Sequence, residues 1–299
     1  MISINDRKFL TEALKVSKRL DGRSMEEQRP MEVTFGSQFG HVELTMGKTK
    51  VVVRISAEIT KPNERRPFEG IFVVHTDIGS MASPIFENNH QSEQEIMISQ
   101  VVEKAVRRSG ALDLESLCIV AGKKCWEIRA DVHYLDFDGG LVDATCAAVM
   151  AGLYHFKKPD VDVDGGAVTV CDMEERHPVA LSVLHLPVSV TYGLFELKND
   201  ETNEVEKVEC VLDCTAIERQ VQNAEITITI NKNRDICQIS KPSGVSIEGY
   251  RIVELCEKAF QEALKVTEMI DKALKEDEEM RNKGNWKALL SAENDRYEK

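Results

Sequence analysis

The alternation of apolar and polar positions divides the chain into strand-rich and helix-rich stretches that recur in the same order. Near the start, Phe9, Leu10, Ala13 and Leu14 repeat at helical spacing behind Asn5, which predicts a short capped helix with basic residues at its end, an N-terminal arm. Strands are expected over 31–35, 41–46, 51–60 and 71–78, separated by Gly, Pro and Asn, and read as an antiparallel meander. Ser92 and Glu95 have capping-box spacing and open a helix that stops at Gly110. Strands over 117–121 and 125–137 lead through Gly139-Gly140 into a helix over about 143–156, whose small apolar residues predict burial against a sheet. An acidic turn around Gly165 and Gly166 precedes strands over 184–195, 207–213, 224–231 and 236–240, with an exposed loop over 198–206. A long helix over 247–276 and a charged tail complete the pattern. The twofold order predicts an α+β protein of two similar units: an arm 1–29, domains 30–180 and 181–276, and a tail 277–299.

At 299 residues with 42% hydrophobic and 30% charged content, the chain is able to bury a sizeable core. The net charge of -13 argues against a free-standing basic nucleic-acid binder. Residues 1–158 carry 22 acidic and 21 basic groups, against 29 and 17 in residues 159–299, so an anion-binding surface belongs in the first part. No apolar run is long enough to span a bilayer, and the N-terminus lacks an apolar signal core, so neither a membrane nor a secretory route is expected. Eight cysteines without a C-x-x-C pair fit a reducing compartment.

Several motifs invite chemistry. Gly47-Lys48-Thr49 ends like a phosphate-binding loop, but Val42 stands where that loop needs glycine, and a hairpin turn is the better reading. His75 and His133 lack a second ligand at metal spacing and read as core or edge histidines, while Cys210 and Cys214 read as structural thiols. Arg65 and Arg66 form a pair suited to clamping successive phosphates. Lys104, Arg107 and Arg108 share a helix face at its C-terminal end, where they also offset the dipole. Gly139-Gly140 before a helix is an anion-binding arrangement, but Asp143 is placed to cap that helix and occupy its donors.

Four ordered motifs, Arg19-Leu20-Asp21-Gly22-Arg23, Arg66-Pro67-Phe68-Glu69-Gly70, Val106-Arg107-Arg108-Ser109-Gly110-Ala111-Leu112-Asp113 and Asp136-Phe137-Asp138-Gly139-Gly140, resemble those of the RNase PH family. The likeness runs from the arm to about residue 275 and is nearest to the ring subunits of the eukaryotic RNA exosome related to the polymyositis/scleroderma autoantigen. It implies tandem units of the ribosomal protein S5 domain 2-like kind, with mixed and antiparallel sheets packed with helices. Active family members are phosphorolytic 3′-to-5′ exoribonucleases, which need a donor-rich phosphate cradle and a carboxylate at the reacting centre. They place Thr-Arg after the glycines, where this chain has Leu141 and Val142, then Asp143. Their acid pair maps near Asp213 and the Glu218-Arg219 region, with Arg219 replacing one acid and Asp213 left as a vestigial acid. The resemblance therefore implies a non-catalytic ring subunit without metal or cofactor, the alternative being an active phosphate-dependent exoribonuclease. It further implies RNA held without sequence preference by Lys104 and Arg107, with Arg108, Arg65 and Arg66 as weaker candidates. The implied partners are other RNase PH-like subunits, as a heterodimer within a hexameric ring, S1/KH-type cap subunits, nucleases and helicase cofactors. The implied settings are nucleus, nucleolus and cytoplasm, in rRNA maturation, mRNA turnover and RNA surveillance.

Overall fold

A computed structural model describes residues 3–86, 92–164, 167–171, 176–198, 205–242 and 244–291. The first helix, α1 (Ile4–Lys15), is capped by Ser3, whose side chain accepts from the Asp6 amide, and not by Asn5, which lies inside the helix. Its Leu10 and Leu14 are buried against Phe195, Leu197, Val211 and Val221, so the arm packs on the far half of the chain.

Strands β1 (Met31–Phe35), β2 (His41–Met46), β3 (Thr49–Thr60) and β4 (Ile71–Asp77) are followed by α2 (Glu93–Arg107), a 3-10 turn (Glu115–Leu117), β5 (Cys118–Val120) and β6 (Lys124–Asp136). The expected meander is interrupted: the sheet order is β1-β2-β3-β6-β4, with β5 paired to β6. β4 and β6 run parallel, because α2 carries the chain across the sheet between them. The capping box of α2 forms as expected, and buried Glu95 also accepts from the Ile78 amide, tying the helix to the end of β4.

Next comes α3 (Leu141–His155), then β7 (Lys157–Lys158), β8 (Val161–Asp164), β9 (Ala167–Val170) and β10 (Val179–Ala180). The expected turn at Gly165 and Gly166 lies outside the described residues. The second large sheet holds β11 (Val188–Lys198), β12 (Val205–Leu212), β13 (Ala224–Ile230) and β14 (Ile236–Ser240), in the antiparallel order β12-β11-β13-β14. A short α4 (Ala216–Arg219) sits between β12 and β13. Most of the loop expected over 198–206 lies outside the described residues.

α3 touches both large sheets, which explains its composition. Ala144, Cys146, Ala147, Ala148 and Ala151 are fully buried, and a methyl on Gly152 would sit 3.0 Å from Ile55. Small residues let the two sheets close on one helix, and a single apolar cluster runs through both halves.

The last helix, α5 (Gly249–Ser291), continues well past residue 276, where the sequence pattern predicts a tail. Arg281 explains the extra turns. Its guanidinium donates to the carbonyls of Ser37 (2.9 Å) and Gly36 (2.6 Å), pairs with Asp277 (2.6 Å) and stacks on Phe39, so this stretch docks on the β1–β2 loop. The tail beyond residue 291 lies outside the described residues. No helix among the described residues is long and apolar enough to cross a membrane.

Candidate functional site

The turn before α3 is held by its glycines. Gly139 and Gly140 have φ of 83° and 67°, and a Cβ on Gly139 would collide with the Cys214 carbonyl. Thr49 braces the turn from below, donating to the Gly139 carbonyl (2.8 Å) and accepting from the Asp138 amide (3.1 Å). Gly47 and Lys48 form the β2–β3 hairpin turn, and the Thr of the phosphate-loop lookalike is this brace.

Gly140 itself is the N-cap of α3, and no side chain caps the helix. This corrects the cap expected at Asp143, which lies two residues inside the helix. Its carboxyl turns to β11, taking the Thr191 amide (2.9 Å) and hydroxyl (2.6 Å). Burial pushes this carboxyl up to about 7; the Thr191 bonds oppose the rise, and the nearby Asp213 and Glu225 charges add to it.

Asp213, expected as a vestigial acid, is buried and fully engaged. It accepts from the Arg29 amide (3.0 Å), Nε (2.7 Å) and Nη2 (2.6 Å), and from Arg23 Nη1 (3.0 Å). Burial alone would raise its pKa, but the Arg29 hydrogen bonds and charge outweigh it and hold the carboxyl below its ordinary value. Arg29 also donates to the Asp138 carbonyl (2.7 Å), so one guanidinium joins the glycine turn of the first domain to the acid of the second. Beside it, buried Arg19 forms a forked pair with Glu218 (3.0 and 2.7 Å) and donates to the Leu212 and Asp213 carbonyls. Glu218 is spent further in a capping box with Thr215. Arg219 reaches Glu225 at 3.7 Å.

What remains at the mouth of α3 is a cavity of about 20 Å³ lined by Gly140, Leu141, Val142, Thr191, Asp213 and Arg219 among others. That is room for roughly one water. Leu141 and Val142 contribute no polar side chain to it. Alongside lies a wider cleft of about 600 Å³, bordered by Phe86, Met97, Phe137, Val142 and Arg219 among others.

The basic candidates lie elsewhere. Arg66, Arg107 and Arg108 border one open cleft of about 540 Å³, together with Glu69, Asp113 and Glu115. Arg66 pairs with Glu69 (2.9 Å) and Arg107 with Glu103 (2.9 Å), each an exposed guanidinium on a half-buried carboxylate. Lys104 is half-buried on α2 and does not border this cleft, and neither does exposed Arg65, so the five candidates are not one cluster. His75 lies on the edge strand β4, as one of the two expected readings has it, and His133 on the inner strand β6; both are exposed and neither is a core residue, His133 standing 3.4 Å from Asp77. No group able to hold a metal exists among the described residues.

Residues 27–159 match the 3′ exoribonuclease family, domain 1, and residues 185–262 match its domain 2. The chain belongs to the RNase PH family. It is 48% identical to exosome complex component RRP45 of Saccharomyces cerevisiae over 299 residues, 99% of this chain and 97% of that protein. It is 35% identical to exosome complex component RRP45 of Homo sapiens over 93% of this chain and 62% of that protein. Among solved structures it resembles a chain of an Archaeoglobus fulgidus exosome with RNA bound to the active site. The TM-score there is 0.74 and the identity 27%, over 88% of this chain and 97% of that one. An archaeal exosome core matches at TM-score 0.71 and 26% identity, over 89% of this chain and 96% of that one. The α+β architecture is thus the RNase PH fold. Within it, the Arg19–Arg23 motif, which carries part of the family likeness, is a clamp on the 212–218 segment, and Arg29 lies outside every quoted motif.

Proposed function

We propose that this chain is a non-catalytic RNase PH-like subunit of an RNA exosome ring, which helps build the ring and line its RNA path during 3′-to-5′ processing and decay. The engagement of Asp213 carries this reading. A carboxylate that accepts four donors, is closed off from solvent and is held in its charged form has no capacity to exchange a proton with a reacting phosphate. The neighbouring cavity, about 20 Å³, has no room for a phosphate, and Leu141 and Val142 bring no donor to it. The RRP45 relatives, alike over almost the whole chain, support the ring assignment.

RNA contact falls to the open cleft of Arg66, Arg107 and Arg108, with Lys104 and Arg65 contributing from outside it. Interspersed Glu69, Asp113 and Glu115 keep its field modest, so the grip is weak, non-specific and dependent on neighbouring subunits to complete the surface. Cap subunits, nucleases and helicase cofactors complete the assembly in nucleus, nucleolus and cytoplasm. Native mass spectrometry of the complex purified from its own cells tests the assignment. One copy of this chain among different RNase PH-like subunits is expected, and a homomeric ring of this chain would overturn it.

A further inference from the structure

All eight cysteines are free thiols, and two of them face each other. Cys118 on β5 and Cys125 on β6 are direct partners in an antiparallel ladder, so their side chains stand on the same face of the sheet. Such partners have Cα atoms about 4.5–5.5 Å apart, inside the range of about 4.4–6.8 Å that a disulfide spans. No other two cysteines among the described residues are ladder partners. Cys118 is half-buried and reachable by a small oxidant, whereas Cys125 is buried beside it.

The hairpin these residues close is the seat of the Arg65–Arg66 loop. The Gly122 amide at its tip donates to the Pro67 carbonyl (2.9 Å), and the Gly70 amide donates to the Leu114 carbonyl (2.8 Å). The fit is tight enough that a Cβ on Gly70 would run into Leu117 and lie 2.8 Å from the Trp126 carbonyl. Arg66 projects from this seat into the cleft that it shares with Arg107 and Arg108.

We propose that Cys118 and Cys125 are a redox modification site: a peroxide converts them to an intrachain disulfide that staples the β5–β6 hairpin and stiffens the Arg65–Arg66 loop. The Cys118 thiolate attacks the O–O bond and becomes a sulfenic acid, releasing hydroxide, which is protonated to water. The Cys125 thiolate then attacks the Cys118 sulfur and expels hydroxide, which leaves as a second water. Two thiols and one peroxide thus give one disulfide and two waters, and a dithiol reductant reverses the change.

Trypsin makes the test unambiguous, because Lys123 and Lys124 lie between the two cysteines and cleavage puts them on separate peptides. The full chain, alone and in its purified complex, is treated with stoichiometric hydrogen peroxide, blocked with N-ethylmaleimide in denaturant and digested. A linked peptide pair holding Cys118 and Cys125, two hydrogens lighter than its parts and lost on treatment with dithiothreitol, is expected. In the oxidised protein, hydrogen exchange at the Gly122 amide is expected to slow by about tenfold. Recovery of Cys118 as sulfinic acid with Cys125 still alkylated, or linkage to other cysteines instead, would overturn the site. A disulfide that leaves Gly122 exchange unchanged would overturn the stapling. A C118S variant should leave Cys125 fully alkylated after peroxide; if that variant does not fold, the wild-type peptide pair decides alone.

Discussion

The Asp213 centre and the Arg66–Arg107–Arg108 cleft both bring arginines near carboxylates, but they do so in opposite settings. Around Asp213 the charges are buried, forked and saturated, and each guanidinium joins segments nearly two hundred residues apart. Around the cleft the ion pairs are single, local and in water, at spacings of three and four residues. Buried pairs of this kind lock a fold and cost dearly when broken, whereas exposed pairs exchange readily for a phosphate. One centre is architecture, and the other is open for the RNA contact proposed above.

The largest effect expected from this contrast is that of Asp213→Ala. Removing the carboxylate strands the Arg29 guanidinium in the interior, and a loss of about 3–5 kcal/mol is expected in urea unfolding. A loss under about 1 kcal/mol would place Asp213 in the same class as the surface pairs.

Asp143 sharpens the comparison through pH. Its folded pKa, about 7, is raised above the ordinary 3.8, so the stability it contributes is fully present below that ordinary value and is lost as pH rises through about 7. Asp143→Asn should therefore gain stability relative to the parent between pH 5 and pH 8.5, by about 2–3 kcal/mol in chemical denaturation. A constant difference across that range would contradict the buried setting. His155 acts at the acid end. Burial and the Arg281 charge hold its pKa down to about 4, so stability is lost as pH falls from about 6.5 through 4.

Smaller again is Arg281→Ala, which frees the end of α5 from the Gly36 and Ser37 carbonyls and from Phe39. A loss of about 1 kcal/mol is expected, with faster amide exchange confined to the end of α5 and the β1–β2 loop. The smallest effect on stability belongs to Arg107→Glu, a loss of about 0.5 kcal/mol, since the exposed pair with Glu103 becomes a like-charge pair at the helix C-terminus. Its signature is in binding: RNA affinity of the assembled complex falls, and the salt slope drops by about 1. Unchanged RNA crosslinking would take the open cleft out of the RNA path.

Local patterns in the sequence carried over well wherever the determining contacts are local. The Ser92–Glu95 capping box, the strand alternations of β2 and β4 and the small residues of α3 each sit where the sequence pattern puts them. The cap of α3 was misread because a left-handed glycine caps without any side-chain signal, and Asp143 imitated a cap while serving β11. The insertion of β6 between β3 and β4, and the packing of α1 on the second sheet, depend on pairings across long stretches of chain that no window of sequence displays. The same holds for the site. Leu141 and Val142 are legible in the sequence as apolar residues after the glycines, but the setting of Asp213 depends on Arg29 and Arg23, from the opposite end of the chain, which close over it.

Phosphorolysis by the isolated chain tests the sealed centre most directly. Purified protein is given single-stranded RNA and radiolabelled inorganic phosphate, and label in nucleoside diphosphate is counted. Incorporation at the level of a protein-free control is expected, unchanged when Leu141→Thr and Val142→Arg are introduced together, because Asp213 stays held by Arg29 and Arg23. Phosphate-dependent release of nucleoside diphosphate by the unmodified chain would contradict the account.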